Sequence, residues 1–204
     1  MNSPYMGKFK LTQTQTQKHD GYDLVGIDSN EIHSTVNGTV VYSGWEDKND
    51  HSKGFGLYVV IVKDGTDDFY FFGHMRKTMV SVGDHVKITD VIGIEGSTGK
   101  STGSHCHYCA RRQRDKKQPL NMETVSGIPN KRGVYDDGYR PEKKNAGTTE
   151  LLPGTWNVRY LPSLRSRVMR VVRGPQPVTY VDMVEGFYKL RDGYYLSVHA
   201  CIDK

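Results

Sequence analysis

The chain has 204 residues, of which 36% are hydrophobic, and its 28 lysines and arginines exceed its 23 aspartates and glutamates by a formal net charge of +5. This length allows one large domain or two small ones. No apolar run reaches the roughly 18 residues of a membrane-spanning helix, and the three cysteines do not resemble a disulfide framework. The positive charge favours an anionic partner, although an ordinary solvated surface is the simpler interpretation.

Residues 1–18 are polar, and residues 12–17 repeat glutamine and threonine without an apolar face. This composition predicts an arm or loop, with a polar edge strand as the alternative. The segment also lacks the apolar core of a secretory signal. We therefore expect synthesis in the cytoplasm without a signal peptide.

The first chemically informative stretch is His19 to Asp23. The histidine and the aspartate are four residues apart, and Gly21 between them argues for a turn that enters a strand rather than for a helix. A turn can aim both side chains at one point.

A series of short β-branched and aromatic segments follows and predicts a mainly β, antiparallel first domain. The predicted strands are residues 36–42, 57–62, 69–74, 80–83 and 86–94. Residues 44–56 are polar and glycine-containing, which predicts an exposed loop that walls a cleft.

A turn rich in glycine, serine and threonine, residues 93–104, leads into His105 and His107. On a strand these two imidazoles share one face with Cys109, while Cys106 and Tyr108 face the other way. Such a pair can bind a metal together, or one histidine can bind it while the other transfers protons.

The candidate site gathers five side chains. A hydrolytic zinc site needs about three protein ligands, commonly two histidines and a carboxylate, and an open position for water. The remaining histidines would handle the proton of the water and the charge that develops on the attacked carbonyl. The candidates are His19, Asp23, His74, His105 and His107.

The order of the motifs resembles the lysostaphin/LytM-type zinc endopeptidases, which cut the peptides of peptidoglycan. The motifs cover about residues 19–110 and are His19-x-Gly-x-Asp23, Phe72-Gly73-His74-Met75, the glycine-rich approach of residues 91–103, and His105-x-His107-Tyr108.

The resemblance implies that Zn²⁺ is bound by His19, Asp23 and His107. It implies catalytic roles for His74 and His105, on an antiparallel sheet whose loops form a groove for an extended peptide. We assign the base to His105, because strand alternation places it beside His107, and the stabilisation of the oxyanion to His74; an exchange of the two roles stays open.

Two cysteines depart from the family pattern. Cys109 occupies a position that is glutamate in many relatives, and Cys106 one that is usually leucine. Cys109 is predicted to be a structural thiol rather than a competing ligand, because its side chain starts roughly 6–7 Å further along the strand.

The rest of the chain predicts a second domain. The basic run 111–117 has no aromatic residues and is interpreted as a solvated loop, and residues 126–147 have the composition of a linker. The predicted domains are therefore a metallopeptidase at 1–125 and a small β-barrel at 148–204. Five short strands are predicted in the barrel, at residues 156–159, 168–172, 178–184, 187–190 and 194–198. The latter resembles bacterial SH3-type domains that bind cell walls, with a purely structural domain as the alternative.

The sequence thus predicts a monomeric zinc endopeptidase that hydrolyses cross-bridge or stem peptides of bacterial peptidoglycan. We expect a bacteriolytic, antimicrobial enzyme, a phage or prophage endolysin that acts on the wall after release and also contacts anionic wall polymers. The alternatives are a non-catalytic wall-binding adaptor, although all five positions are filled, and a nucleic-acid-binding β protein, for which the basic run lacks aromatic residues. We expect neither a nucleic-acid partner nor a transmembrane segment.

Overall fold

The computed structural model describes residues 1–114, 118–138, 147–160, 162, 167–184, 187–190, 193–197 and 201–202. The chain divides into two compact units, Met1–Arg140 and Pro141–Lys204. Both are built from antiparallel strands, as predicted. Over the described residues, no helix has the length and apolarity to cross a membrane.

The first unit contains an eight-stranded sheet in the order β11-β1-β2-β10-β6-β5-β4-β8 and a three-stranded sheet in the order β3-β9-β7. Its elements are β1 (Lys8–Gln13), β2 (Tyr22–Gly26), β3 (Glu31–His33), β4 (Gly38–Trp45), β5 (Leu57–Lys63), β6 (Asp68–Met75), β7 (Lys77–Thr78), β8 (His85–Val86), β9 (Val91–Ile94), β10 (Cys106–Arg112), α1 (Met122–Ser126) and β11 (Gly133–Asp136).

Strand β10 lies in the interior of the large sheet, between β2 and β6, and its residues alternate between two environments. Cys106, Tyr108 and Ala110 are fully buried in the main core. Cys109 belongs to a second apolar cluster, with Val60 and Phe71. The predicted alternation is confirmed, because the strand presents His107 and Cys109 away from the main core.

The N-terminal segment differs from its prediction as an arm or edge strand. Residues Lys8–Gln13 form β1, which pairs with β11 on one side and β2 on the other. Phe9 and Leu11 are fully buried, while the lysines at 8 and 10 are exposed. The strand was missed because its period-2 signal consists of only two apolar residues among polar ones, and because its partner strand β11 lies more than 100 residues away in the sequence.

Two further predictions differ from the structure. Residues 80–83 form a turn rather than a strand. Within the expected linker, residues 126–147, Gly133–Asp136 pairs with β1 as an additional strand of the first unit's sheet. That pairing is non-local, so the glycine- and charge-rich composition of the segment gave no sign of it.

The second unit forms a seven-stranded sheet in the order β14-β13-β17-β16-β15-β12-β18. The strands are β12 (Gly147–Leu151), β13 (Gly154–Arg159), β14 (Val168–Gly174), β15 (Pro177–Val184), β16 (Phe187–Leu190), β17 (Tyr195–Ser197) and β18 (Cys201–Ile202). Leu151, Val158, Tyr188, Leu190 and Leu196 form its core. The five predicted strands correspond to β13–β17.

Candidate metal centre and cleft

Neighbouring strands bring the first ligand candidates together. Asp23 in β2 pairs directly with His107 in β10, so their side chains leave the sheet side by side. His19 lies in the turn before β2, where its backbone pairs with Thr16. Its Nδ1–H donates to the carbonyl of Thr14 at 3.0 Å, which leaves Nε2 as the nitrogen that faces the site.

Three donor atoms form a compact triangle. His19 Nε2 lies 3.1 Å from Asp23 Oδ1 and 3.2 Å from His107 Nδ1, and the last two atoms are 2.8 Å apart. With metal–ligand bonds of about 2.0–2.1 Å, the edges of a coordination tetrahedron are about 3.3 Å long. The spacing of the three donors therefore fits one zinc ion.

The tautomer of His19 supports the same conclusion. Because the carbonyl of Thr14 accepts the proton on Nδ1, a neutral His19 presents a lone pair to the carboxylate of Asp23. Two acceptors that face each other across 3.1 Å are stabilised by a cation between them.

The electrostatics of the triangle favour a charged carboxylate. Burial by itself raises the pKa of Asp23, but hydrogen bonds from His107 and from the protonated form of His19 outweigh it and hold that pKa well below its ordinary value. Burial lowers the pKa of His107, whereas hydrogen bonds to Asp20 and Asp23 more than compensate and raise it well above its ordinary value. Metal binding must therefore displace a proton from His107.

His74 and His105 lie next to this triangle, with ring centroids 4.6 Å apart. His74, near the end of β6, has a φ of 61°, a left-handed conformation that is uncommon for residues other than glycine and recurs at functional sites. Its Nδ1–H donates to the carbonyl of Thr98 at 2.7 Å. Burial, assisted by the nearby charges of His105 and His107, lowers the pKa of His74 to about 4.

His105 immediately precedes β10 and pairs with Gly96 in an isolated bridge. Its Nδ1–H donates to the carbonyl of Gly103 at 2.8 Å. Its Nε2 lies 3.6 Å from Asp23 Oδ1. The structure thus brings all five predicted side chains into one cluster, in which a backbone carbonyl binds Nδ1 of both His74 and His105 and their Nε2 atoms remain for the site.

The cluster lies in an open cleft of about 910 Å³. One wall is the loop of residues 44–56, which was predicted from its composition. The cleft is lined by the five candidate residues and by Gln13, Glu46, Ser52, Gly54, Phe55, Gly99, Lys100, Ser101, Thr102 and Arg111.

The glycine-rich approach to His105 also lines the cleft, and it lies directly against the loop of residues 44–56. The amide of Gly99 donates to the carbonyl of His51, and the amide of Lys100 donates to that of Gly54, both at 2.9 Å. A Cβ on Gly99, which has a φ of 73°, would meet the Gly56 amide nitrogen at 2.3 Å. Glycine is thus required at position 99, where the two segments touch. The sequence pattern did not reveal this reason for a glycine there.

Two charged residues of the site were missed by sequence reasoning. Asp20 Oδ1 lies 3.4 Å from His107 Nε2, and Asp20 Oδ2 accepts from Arg111 Nη2 at 2.6 Å and from Nε at 2.8 Å. Arg111 belongs to β10 rather than to a solvated loop, whereas residues 115–117 of the basic run lie outside the described residues. Strand alternation places Arg111 on the same face as His107, so the sequence contained a signal for Arg111. It contained none that marked Asp20 as a residue of the site.

The two cysteines lie on opposite faces of β10, as the alternation predicted, while the role of Cys109 as a structural thiol stays a prediction. Cys106 is buried in the main core. Cys109 is also fully buried, and its sulfur lies within 4.8 Å of a His107 nitrogen and an Asp20 oxygen. No disulfide joins these two cysteines, which are both free.

The fold and the site define an antiparallel β protein with a candidate metal centre on the floor of an open cleft. The chain belongs to peptidase family M23, whose family model matches residues 17–121, just over half of the chain. This range includes all five site residues.

Individual relatives are more distant. Endolysin 2638A of Staphylococcus phage 2638A is 25% identical over 142 residues, which is 65% of this chain and 27% of that protein. Glycyl-glycine endopeptidase ALE-1 of Staphylococcus capitis is 31% identical over 90 residues, which is 44% of this chain and 24% of that protein. The chain therefore spans only about a quarter of the length of these relatives.

A solved structure extends the similarity of the fold over most of the chain. The antimicrobial peptidase lysostaphin from Staphylococcus simulans superposes with a TM-score of 0.51 and 19% identity, covering 94% of this chain and 87% of lysostaphin. At this identity the likeness concerns the fold alone.

Proposed function

We propose that this protein is a zinc-dependent endopeptidase that hydrolyses a peptide bond in the peptide part of bacterial peptidoglycan. The observation that carries the proposal is the triangle of donors, 2.8 to 3.2 Å apart, beside two further histidines in an open cleft. Membership of peptidase family M23 supports the reaction class, and relatives named as an endolysin and a glycyl-glycine endopeptidase support the substrate class.

The proposed ligands are His19 through Nε2, Asp23 through Oδ1 and His107 through Nδ1. When bound, zinc polarises the scissile carbonyl and lowers the pKa of the attacking water. The backbone carbonyl of Thr14 orients His19, because it accepts the proton on Nδ1. The open side of the triangle faces the cleft, where an extended peptide has access.

Proton transfer and charge stabilisation are assigned to His74 and His105. One imidazole accepts a proton from the attacking water and returns it to the leaving amine, and the other donates a hydrogen bond to the oxyanion. Both rings are fixed by backbone carbonyls at Nδ1, so Nε2 is the reactive nitrogen of each.

The environment of His74 supports the reverse of the division made from the sequence. A pKa of about 4 keeps His74 neutral at pH 7, with its proton on Nδ1 and a lone pair on Nε2. A neutral imidazole in this tautomer accepts a proton but cannot donate from Nε2. We therefore assign the base to His74 and the oxyanion donor to His105, whose Nε2 lies 3.6 Å from Oδ1 of Asp23.

We assign the second unit, which includes the predicted domain 148–204, to cell-wall binding as an SH3-type module. Its small, strand-rich core supports a binding module of this kind, and the net charge of +5 of the whole chain suits anionic wall polymers. The protein acts as a monomeric, bacteriolytic endolysin of phage or prophage origin, an assignment supported by the named endolysin relative. The presence and convergence of all five site residues argue against the non-catalytic adaptor.

The test begins with purified walls of known chemistry. A strong chelator should abolish the release of peptide fragments, and added zinc should restore it, while mass spectrometry of the fragments identifies the bond that is cut.

His107→Ala should lose the bound zinc, whereas His105→Ala should retain one equivalent and lose turnover. Hydrolysis that persists in the chelator would contradict the mechanism, and loss of zinc from both variants would contradict the ligand assignment.

A further inference from the structure

Asp20 is the acidic group that faces the far side of the His107 ring. Nδ1 of His107 belongs to the donor triangle, while its Nε2 lies 3.4 Å from Asp20 Oδ1, the separation of an ion pair rather than of a short hydrogen bond. The side chain of His107 is only 10% exposed, and that of Asp20 is 33% exposed. The motif that provides His19 and Asp23 requires no acid at position 20.

Arg111 fixes the carboxylate in this position. Its Nη2 and Nε both bind Asp20 Oδ2, at 2.6 and 2.8 Å, which leaves Oδ1 for His107. The guanidinium also lies over the ring of Phe71, with its carbon 4.6 Å from the ring centroid. Both the ion pair and the aromatic contact restrict the rotamers of Arg111.

A carboxylate at this place has a defined chemical effect on a ligand histidine. An imidazole that uses Nδ1 as a ligand carries its proton on Nε2, and a negative charge beside Nε2 fixes that tautomer, orients the ring and raises the basicity of Nδ1. We propose that Asp20, held by Arg111, is a positioning residue that raises the metal affinity of His107. This inference rests on the ligand role proposed above for His107.

The same residues offer a competing explanation, a second metal site. Donor atoms of Asp20, His107 and Cys109 lie within 4.8 Å of one another. However, the guanidinium of Arg111 already occupies one oxygen of Asp20 and repels a cation there, and Cys109 is fully buried. The geometry therefore favours an outer carboxylate over a second ion.

The experiment measures the zinc affinity of the full chain by competition with a chromophoric chelator, together with the zinc stoichiometry. Asp20→Asn, which is nearly isosteric, should weaken zinc binding by about 10- to 100-fold at a stoichiometry of one. Asp20→Glu should recover part of the affinity. The matched control is Asp68→Asn, because Asp68 in β6 pairs at 3.0 Å with Arg112, the neighbour of Arg111 in β10, and is not among the partners of His107. The zinc affinity of this variant should equal that of the wild type.

A double variant distinguishes the positioning of His107 by Asp20 from the alternative that Asp20 only neutralises the positive charge of Arg111. Asp20→Asn with Arg111→Gln removes both charges, and its zinc affinity should stay as low as that of Asp20→Asn alone. Recovery of the wild-type affinity in the double variant would overturn the inference, as would an unchanged affinity in Asp20→Asn or a second zinc equivalent lost with Asp20. Urea unfolding of the metal-free variants checks that Asp20→Asn loses no more stability than Asp68→Asn; a larger loss that accounts for the affinity change would also overturn it.

The outcome is distinguishable from a failure of the proposed function. A wild-type protein that binds no zinc would refute the proposed metal centre itself. A wild-type protein that binds one zinc, with Asp20→Asn binding equally tightly, would refute only the role of Asp20.

Discussion

The two histidines outside the donor triangle differ in the groups that surround them. His74 is held neutral by burial, with a pKa of about 4, and donates from Nδ1 to Thr98. His105 donates from Nδ1 to Gly103, and its Nε2 lies 3.6 Å from the carboxylate of Asp23. In the proposed mechanism, the environment of each ring rather than its residue type decides which histidine accepts a proton and which donates a hydrogen bond.

Asparagine substitutions test this division, because an amide can donate a hydrogen bond but cannot act as a base. His105→Asn should retain more of kcat/KM than His105→Ala, since the amide replaces part of the oxyanion donor. At position 74, alanine and asparagine should be equally damaging, with losses of about 10²- to 10⁴-fold. Steady-state hydrolysis of a soluble peptide by zinc-loaded variants measures this.

The opposite pattern, in which asparagine rescues position 74 but not position 105, would restore the division made from the sequence. Zinc content measured on each variant serves as the control, because neither position belongs to the donor triangle.

His74 also makes stability depend on pH. Its pKa is about 6.5 when unfolded and about 4 when folded, so between these values the unfolded chain binds more protons. Stability should therefore fall as the pH is lowered from about 6.5 to about 4, and replacement of His74 should reduce that slope. Asparagine is the suitable replacement because it tolerates a left-handed φ.

The measurement is the urea midpoint of the metal-free wild type and of His74→Asn at several pH values. Because other groups titrate in both proteins, the difference between the two curves isolates His74. A difference that stays constant over this range would refute the lowered pKa.

At the level of elements, the site depends on how closely the turn before β2 approaches β10. A Cβ on Gly21 would meet the carbonyl oxygen of Tyr108 at 2.5 Å, the Cβ of Cys109 at 2.7 Å and Nε2 of His107 at 3.0 Å. Only a glycine lets this turn lie against the strand that carries His107.

Gly21→Ala should therefore weaken zinc binding and destabilise the fold by about 1–3 kcal/mol, because backbone atoms of β10 must shift. Competition titration and urea unfolding measure the two effects. The matched control is Gly103→Ala, since a Cβ there meets nothing within 4 Å. Equal behaviour of the two variants would show that close packing of the turn is not required.

The elements also show why some predictions succeeded. Strands β4, β5 and β6 were predicted because each contains a dense run of β-branched and aromatic residues, which is a local signal. Strand β1 was missed because Phe9 and Leu11 stand alone among polar residues and become buried only when β11 pairs with them. Its identity as a strand is a property of the assembled sheet.

At the scale of the whole molecule, the two compact units allow the proposed functions to be separated. Truncation after residue 140 removes the second unit but leaves the five site residues and the sheet that carries them. If the second unit binds walls, the truncated protein should lose wall affinity by roughly 10²-fold or more, because tethering raises the effective concentration of the peptidase at its substrate.

Pull-down on purified walls measures the affinity, and hydrolysis of a soluble peptide provides the control. The truncated protein should hydrolyse the soluble peptide at a rate close to that of the full chain. Unchanged retention on walls would remove the targeting role and leave the second unit with a structural one.

The sequence by itself determined the mainly β character of the chain and the five candidate side chains of the site, because strand periodicity and short motifs depend only on the spacing of residues that are close in the sequence. The tertiary structure decided what depends on distant segments: the pairing of Asp23 with His107, the placement of Asp20 between His107 and Arg111, and the burial that keeps His74 neutral. Electrostatic effects of this kind fall off over a few ångströms. They are therefore fixed only when the sheet brings residues more than 80 positions apart into contact.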